Sequence, residues 1–140
     1  MRIINKKARF NYKIFEKFEA GMVLSGSEVK AIKKRGLDLS HSYAKIINDE
    51  VYLVNANVAV DAALQKPTRS RKLLLKKKQI ISIKTKIKAK RLTLIPTKVY
   101  TRGRLIKAEI ALAKAKRKFE KKEAIKKRDI EREIEKEFRK

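Results

Sequence analysis

Residues 92–112 set the tightest limit on what this chain can fold into. Leu92-Thr93-Leu94-Ile95-Pro96-Thr97-Lys98-Val99-Tyr100 reads as a strand, and Leu105 to Leu112 returns as its partner, with Ile106, Ala108, Ile110 and Leu112 in register. Apolar residues at period two put one face of each strand into a core. Thr101-Arg102-Gly103-Arg104 supplies the hairpin turn. Pro96 has no N–H to give a ladder and belongs at an edge or a bulge.

The rest of the chain offers further strands and two helices. Residues 10–24 alternate at Phe10, Tyr12 and Ile14, then change phase at Phe15 and Phe18, which predicts a strand bent by a bulge ahead of Gly21. Ser25-Gly26-Ser27-Glu28 has capping-box spacing, Lys33, Lys34 and Arg35 fall in a last turn, and Gly36 follows, so a helix is expected over 26–35. Residues 39–60 read as two strands around a tight turn at Asn48-Asp49, and 58–65 as a loop. Residues 1–9 are expected to be mobile at the start and ordered from Asn5 on.

The segment Lys66-Pro67-Thr68-Arg69-Ser70-Arg71-Lys72-Leu73-Leu74-Leu75 joins cations to leucines. Pro67 and Thr68 mark a new start, and Leu73, Ile80, Ile83 and Ile87 share one face at helical spacing, so a second helix is expected over about 69–88. A helix start ringed by guanidinium groups favours an anion. Five or six strands with two interposed helices fit a mainly β fold: a small closed barrel of the oligonucleotide-binding kind with two or three flanking helices. The body is expected to span residues 1–112.

From residue 113 to 140 the chain changes character. Residues 114–140 hold 13 Lys or Arg and 7 Asp or Glu, with no Gly or Pro. Ile130, Ile134 and Phe138 form one narrow stripe at four-residue spacing. Such a segment is expected to be disordered alone and helical on a partner; its stripe can also seal against the chain's own body.

Charge then bounds the function. The formal net charge is +25, from 40 Lys and Arg against 15 Asp and Glu. A compact body carrying that much repels itself unless a polyanion neutralises it, and nucleic acid leads because neutralised phosphates release counterions. No run approaches about 18 consecutive apolar residues, so no membrane span is expected. Absent cysteine removes disulfides, thiolate metal sites and cysteine nucleophiles. The N-terminus lacks signal-peptide features, and a cytoplasmic location follows. His41 stands alone with no ligand-spaced partner, and no phosphate loop, paired acids or nucleophile constellation appears. Neither enzyme activity, metal, cofactor nor small-molecule substrate is expected.

Several stretches together resemble the SmpB family of SsrA-binding (tmRNA-binding) proteins of bacteria. They are N-K-K-A-R at 5–9, F-E-A-G at 18–21, G-S-E-V-K at 26–30, D-L-S-H-S-Y-A at 38–44, P-T-R-S-R-K-L-L-L at 67–75, L-T-L-I-P at 92–96 and A-E-I-A-L-A-K-A-K at 108–116. The resemblance implies a monomeric factor of trans-translation. Such a factor binds the tRNA-like domain of tmRNA, accompanies it to ribosomes stalled without a stop codon, and places its tail in the vacant messenger channel beside small-subunit rRNA at the decoding centre.

Carried over by motif, the RNA-facing positions fall on Asn5, Lys6, Arg9, Glu28, Lys30, Lys33, Arg69, Arg71, Lys72 and Leu73. The decoding-centre and tail positions fall on Lys116, Arg117, Phe119, Glu120, Lys121, Lys122, Ile130 and Ile134. The family's Gly-Lys-Lys, spacer, ring, Asp-Lys-Arg pattern reads here Ala115-Lys116-Arg117-Lys118-Phe119-Glu120-Lys121-Lys122, which keeps the charge signs and the ring but loses the arginine fork. Glu28 has two readings, closing the capping box or accepting hydrogen bonds from RNA. The rival functions are a small basic ribosomal or assembly protein embedded in rRNA, and a protein-docking module working through its amphipathic tail.

Overall fold

The computed structural model describes residues 1–116 except 62 and 64. The chain runs through β1 (Arg2–Ile4), α1 (Lys6–Asn11), β2 (Tyr12–Met22), α2 (Gly26–Arg35), β3 (Leu37–Asp38), β4 (Tyr43–Ile47), β5 (Glu50–Val54), β6 (Asn57–Val58), β7 (Arg71–Leu74), α3 (Lys77–Lys90), β8 (Thr93–Arg102) and β9 (Leu105–Ala115). The fold is mainly β with a few helices.

The main sheet has the order β1-β8-β4-β5-β7-β2-β9, and a further β8–β9 pairing joins its ends. Strands β8, β4, β5, β7, β2 and β9 thus form a closed antiparallel ring, while β1 extends one side of β8 at Lys98–Tyr100. The first residues, expected to be mobile, are tied to the sheet by that pairing. Inside the ring lie Leu53, Leu73, Leu94, Val99, Ile110 and Leu112, with Ile32 of α2 and Ile83 of α3 packed into the same core. A second, smaller cluster of Ala8, Ile95 and Ala113 sits under α1. Leu94 and Ile95 are neighbours on β8 yet belong to different clusters, because adjacent strand residues face opposite sides.

Local chemistry explains the elements. Ser25 accepts from the Glu28 N–H while Glu28 accepts from the Ser25 N–H, completing the box that starts α2. Gly36 ends that helix at φ +76°, a left-handed conformation that a side chain would strain. Asn48 and Asp49 both take positive φ, 50° and 61°, as a two-residue hairpin loop needs. The expected bulges fall where the ladder shifts register, between Ile14 and Glu16 in β2 and between Pro96 and Lys98 in β8.

Two expectations change. The helix expected over 69–88 is a strand, Arg71–Leu74, followed by a helix at Lys77–Lys90. Arg71 and Leu73 face inward while Lys72 and Leu74 face outward, so the period is two; a buried arginine at an inward position disguised it. The body also does not stop at Leu112. Ala113 pairs with Ile14 and Thr93, and Lys114 and Ala115 pair with Lys13 and Tyr12.

Candidate nucleic-acid interface

An ion cluster fixes the loop before β7 onto the start of α2. Glu28 sits in the first turn of α2, fully buried. Its Oε1 accepts from the Ser25 N–H at 3.0 Å and from Arg69 Nη2 at 2.5 Å; its Oε2 accepts from Arg71 Nε at 2.5 Å. Arg71 is buried too, and its Nη1 and Nη2 donate to the carbonyls of Ala56 and Pro67 at 2.6 and 2.9 Å. One carboxylate and one guanidinium therefore gather the α2 terminus, the link between β5 and β6, the segment before β7 and β7 itself.

Burial by itself would push the Glu28 carboxyl up. The Ser25 N–H and the guanidinium groups of Arg69 and Arg71 outweigh it and hold the group at about 2, against an ordinary 4.5. A depressed folded-state value means stability that is complete above pH 4.5 and is lost as pH falls from there through about 2. The loss across that window is on the order of 3 kcal/mol. Thermal melts from pH 6 to pH 2 should show it, and the Glu28→Gln protein, having no carboxyl there, should show a shallower fall.

The expected direct RNA contacts of Glu28 and Arg71 have no surface to act through in this conformation. Leu73 is likewise core, pairing with Val51 and Met22. Arg69 differs. Its side chain is 40 % exposed while its Nη2 is bound to Glu28. Lys72 is partly exposed but bonded to Glu50 at 2.9 Å.

A second group surrounds α1. Asn5 is the N-cap: its Oδ1 accepts from the Ala8 N–H at 3.2 Å, and its Nδ2 donates to the carbonyls of Leu39 and Pro96. Both amide hydrogens of this buried side chain serve the fold, so it too is held away from a ligand. Lys6 and Arg9 are exposed on the same short helix. The Lys116 ammonium donates to the Arg9 carbonyl at 3.3 Å and the Lys116 N–H to the Asn11 carbonyl at 2.8 Å, which brings the start of the tail to this helix.

Lys30 and Lys33 are exposed on α2, and Lys34 and Arg35, which were not singled out, extend their surface. Lys34 was findable, since positions 30, 33 and 34 share a helix face. Lys7 on α1 was also missed; it lines a groove of about 320 Å³ with Asn11, Ser40 and His41. Positions 117, 119, 120, 121, 122, 130 and 134 lie outside the described residues. Among the described residues no helix is long and apolar enough to cross a membrane, and no three His, Asp or Glu side chains gather as metal ligands.

A family profile described as SmpB protein matches residues 2–140. The SsrA-binding protein of Persephonella marina is 47% identical over 139 residues, covering 96% of this chain and 91% of its own. That of Malacoplasma penetrans is 43% identical over 146 residues, covering 98% and 97%. A solved chain described as "tmRNA-SmpB: a journey to the center of the bacterial ribosome" superposes with a TM-score of 0.69 at 36% identity, covering 89% of this chain and 94% of that one.

Proposed function

The chain belongs to the SmpB protein family, and we propose from that premise that it is a non-enzymatic RNA-binding factor of trans-translation. It binds the tRNA-like domain of tmRNA and acts with it on stalled ribosomes in the cytoplasm. Kinship to an SsrA-binding protein over 96% of the chain carries this reading, and the exposed cations support it.

The strand ring is read here as a small closed barrel of the oligonucleotide-binding kind. It is a rigid platform, and its contribution is positioning. Lys6, Arg9, Lys30, Lys33 and the half-exposed Arg69 contact phosphates, each contact releasing counterions and steepening the salt dependence. Asn5, Glu28 and Arg71 act behind them as positioning residues. Asn5 sets the angle of α1; Glu28 and Arg71 lock the turn that presents Arg69. Phosphate contacts of this kind fix register and orientation without reading sequence.

From Lys116 onward the basic segment takes the second task. Arg117, Phe119, Glu120, Lys121 and Lys122 meet the decoding centre, with the ring of Phe119 stacking on a base. Ile130 and Ile134 lie on a helix that forms in the messenger channel when no message fills it. Ordering on contact lets the tail report vacancy, because the channel wall supplies the free energy that an isolated helix of this composition lacks.

Sequencing the RNA that copurifies with this protein from its own cells tests the proposal. One structured RNA with a tRNA-like end should be enriched far above ribosomal RNA. Recovery of rRNA alone, in fixed proportion to all ribosomes, would replace the reading with a resident ribosomal protein.

A further inference from the structure

We propose that residues 129–138 of this chain dock reversibly on the groove beside α2 when RNA is absent, holding that cationic surface until RNA displaces them. The juxtaposition is between a cationic groove with an apolar floor and a segment of opposite character on the same chain.

The groove, of about 750 Å³, has Val29 and Val60 in its lining and carries Lys30, Lys33, Lys34 and Arg35, with Asp61 as its acid. Lys30, Lys33 and Lys34 stand at i, i+3 and i+4, hence on one helix face. None of those three nor Arg35 has a hydrogen bond or ion pair among the described residues. The apolar groove between α3 and β7 is different, because its Lys72 and Lys84 are already paired with Glu50 and Asp49. The α2 groove joins an apolar floor to four cations that make no bond among the described residues.

The tail is not uniformly basic. Residues 114–128 hold nine Lys or Arg against Glu120 and Glu123, whereas residues 129–137 hold five carboxylates, at Asp129, Glu131, Glu133, Glu135 and Glu137, against Arg132 and Lys136. In a chain of +25 this is an isolated acidic segment. Wound as a helix, it would carry Ile130, Ile134 and Phe138 on one stripe, with Glu131 and Glu135 along one flank and Glu133 and Glu137 along the other. An apolar ridge between two acidic rows complements an apolar floor beside a row of cations.

The tether reaches. Lys116 is the last described residue, and the roughly 14 residues from there to Ile130 span up to about 46 Å when extended. The body is about 35 Å across for its length. A tethered segment has an effective concentration on the order of 1 mM, so an intrinsic dissociation constant near that value keeps it docked about half the time. Docking covers Lys30 and Lys33, so the competition with RNA rests on the function proposed above; the docking itself does not.

The test uses the full chain. It has no cysteine, so Arg139→Cys takes a single spin label. Docking predicts selective broadening of the amide signals of residues 29–35 and 60–61. That broadening should vanish with Ile134→Ser, which leaves the charge unchanged, and on adding the tRNA-like domain of tmRNA. Ile134→Ser should also bind that RNA about twofold more tightly at low salt. Broadening absent, spread evenly over the body, or seen when labelled chains are mixed with separate unlabelled ones, which would mean a second copy as occupant, overturns the proposal. So does an unchanged RNA affinity in Ile134→Ser. If the parent chain fails to bind RNA while selective broadening persists, the RNA function falls and the docking stands.

Discussion

Replacing Glu28 by leucine should destabilise the body by about 3–5 kcal/mol, because it leaves the buried Arg71 guanidinium without its counter-charge. For a body of this size that lowers the melting midpoint by about 10–20 °C. Arg69 adds little to the loss, since its partly exposed side chain rehydrates. The double change Glu28→Leu with Arg71→Met should recover most of the midpoint, because removing both members leaves no orphaned charge and restores apolar contact. The two properties then separate. The recovered protein still lacks the carboxylate that orients Arg69, so its affinity for tRNA-like RNA should remain below that of the parent. Differential scanning calorimetry and RNA titration on the same three proteins decide it; recovery of both properties together would leave Glu28 with a purely structural role.

Ending the chain after Lys116 should abolish tagging of stalled products while leaving affinity for tmRNA within a few-fold. The cut preserves every strand and the Lys116 bonds to Arg9 and Asn11. It removes every residue assigned to the decoding centre and messenger channel except Lys116. A cut after Leu112 is a poorer experiment, because Ala113 to Ala115 pair along Tyr12 to Ile14 and their loss opens the end of the β2–β9 ladder. In a reconstituted translation reaction with messages lacking stop codons, the tag on the product is the readout. A shortened protein that still supports tagging would show that the body alone suffices, and one that loses tmRNA would show that the tail holds the RNA.

Much of the fold was legible because its signals are local. The 92–112 hairpin, the Ser25–Glu28 box, the Asn48-Asp49 turn and the Phe15 slip each follow from residues close in sequence. What was hidden depends on distant partners. Arg71 reads as a cation for a ligand until Glu28, 43 positions away, is found beside it. Asn5 reads as a polar contact until Leu39 and Pro96 take its amide hydrogens. An asparagine three residues ahead of Ala8 was nevertheless a usable signal for a helix start. The surface cations were legible as a class, but sequence alone does not tell which ones already have partners.

The seam between β2 and β9 has a further consequence for how the molecule comes into being. It joins the second strand made to the last, and β1 waits on the middle of β8. Until the final strand emerges from synthesis, every shorter nascent form is an open sheet with bare edges, the kind of surface that invites proteases and aggregation. Maturation is therefore all-or-nothing and late, and an interrupted copy of this protein would itself be a substrate for disposal.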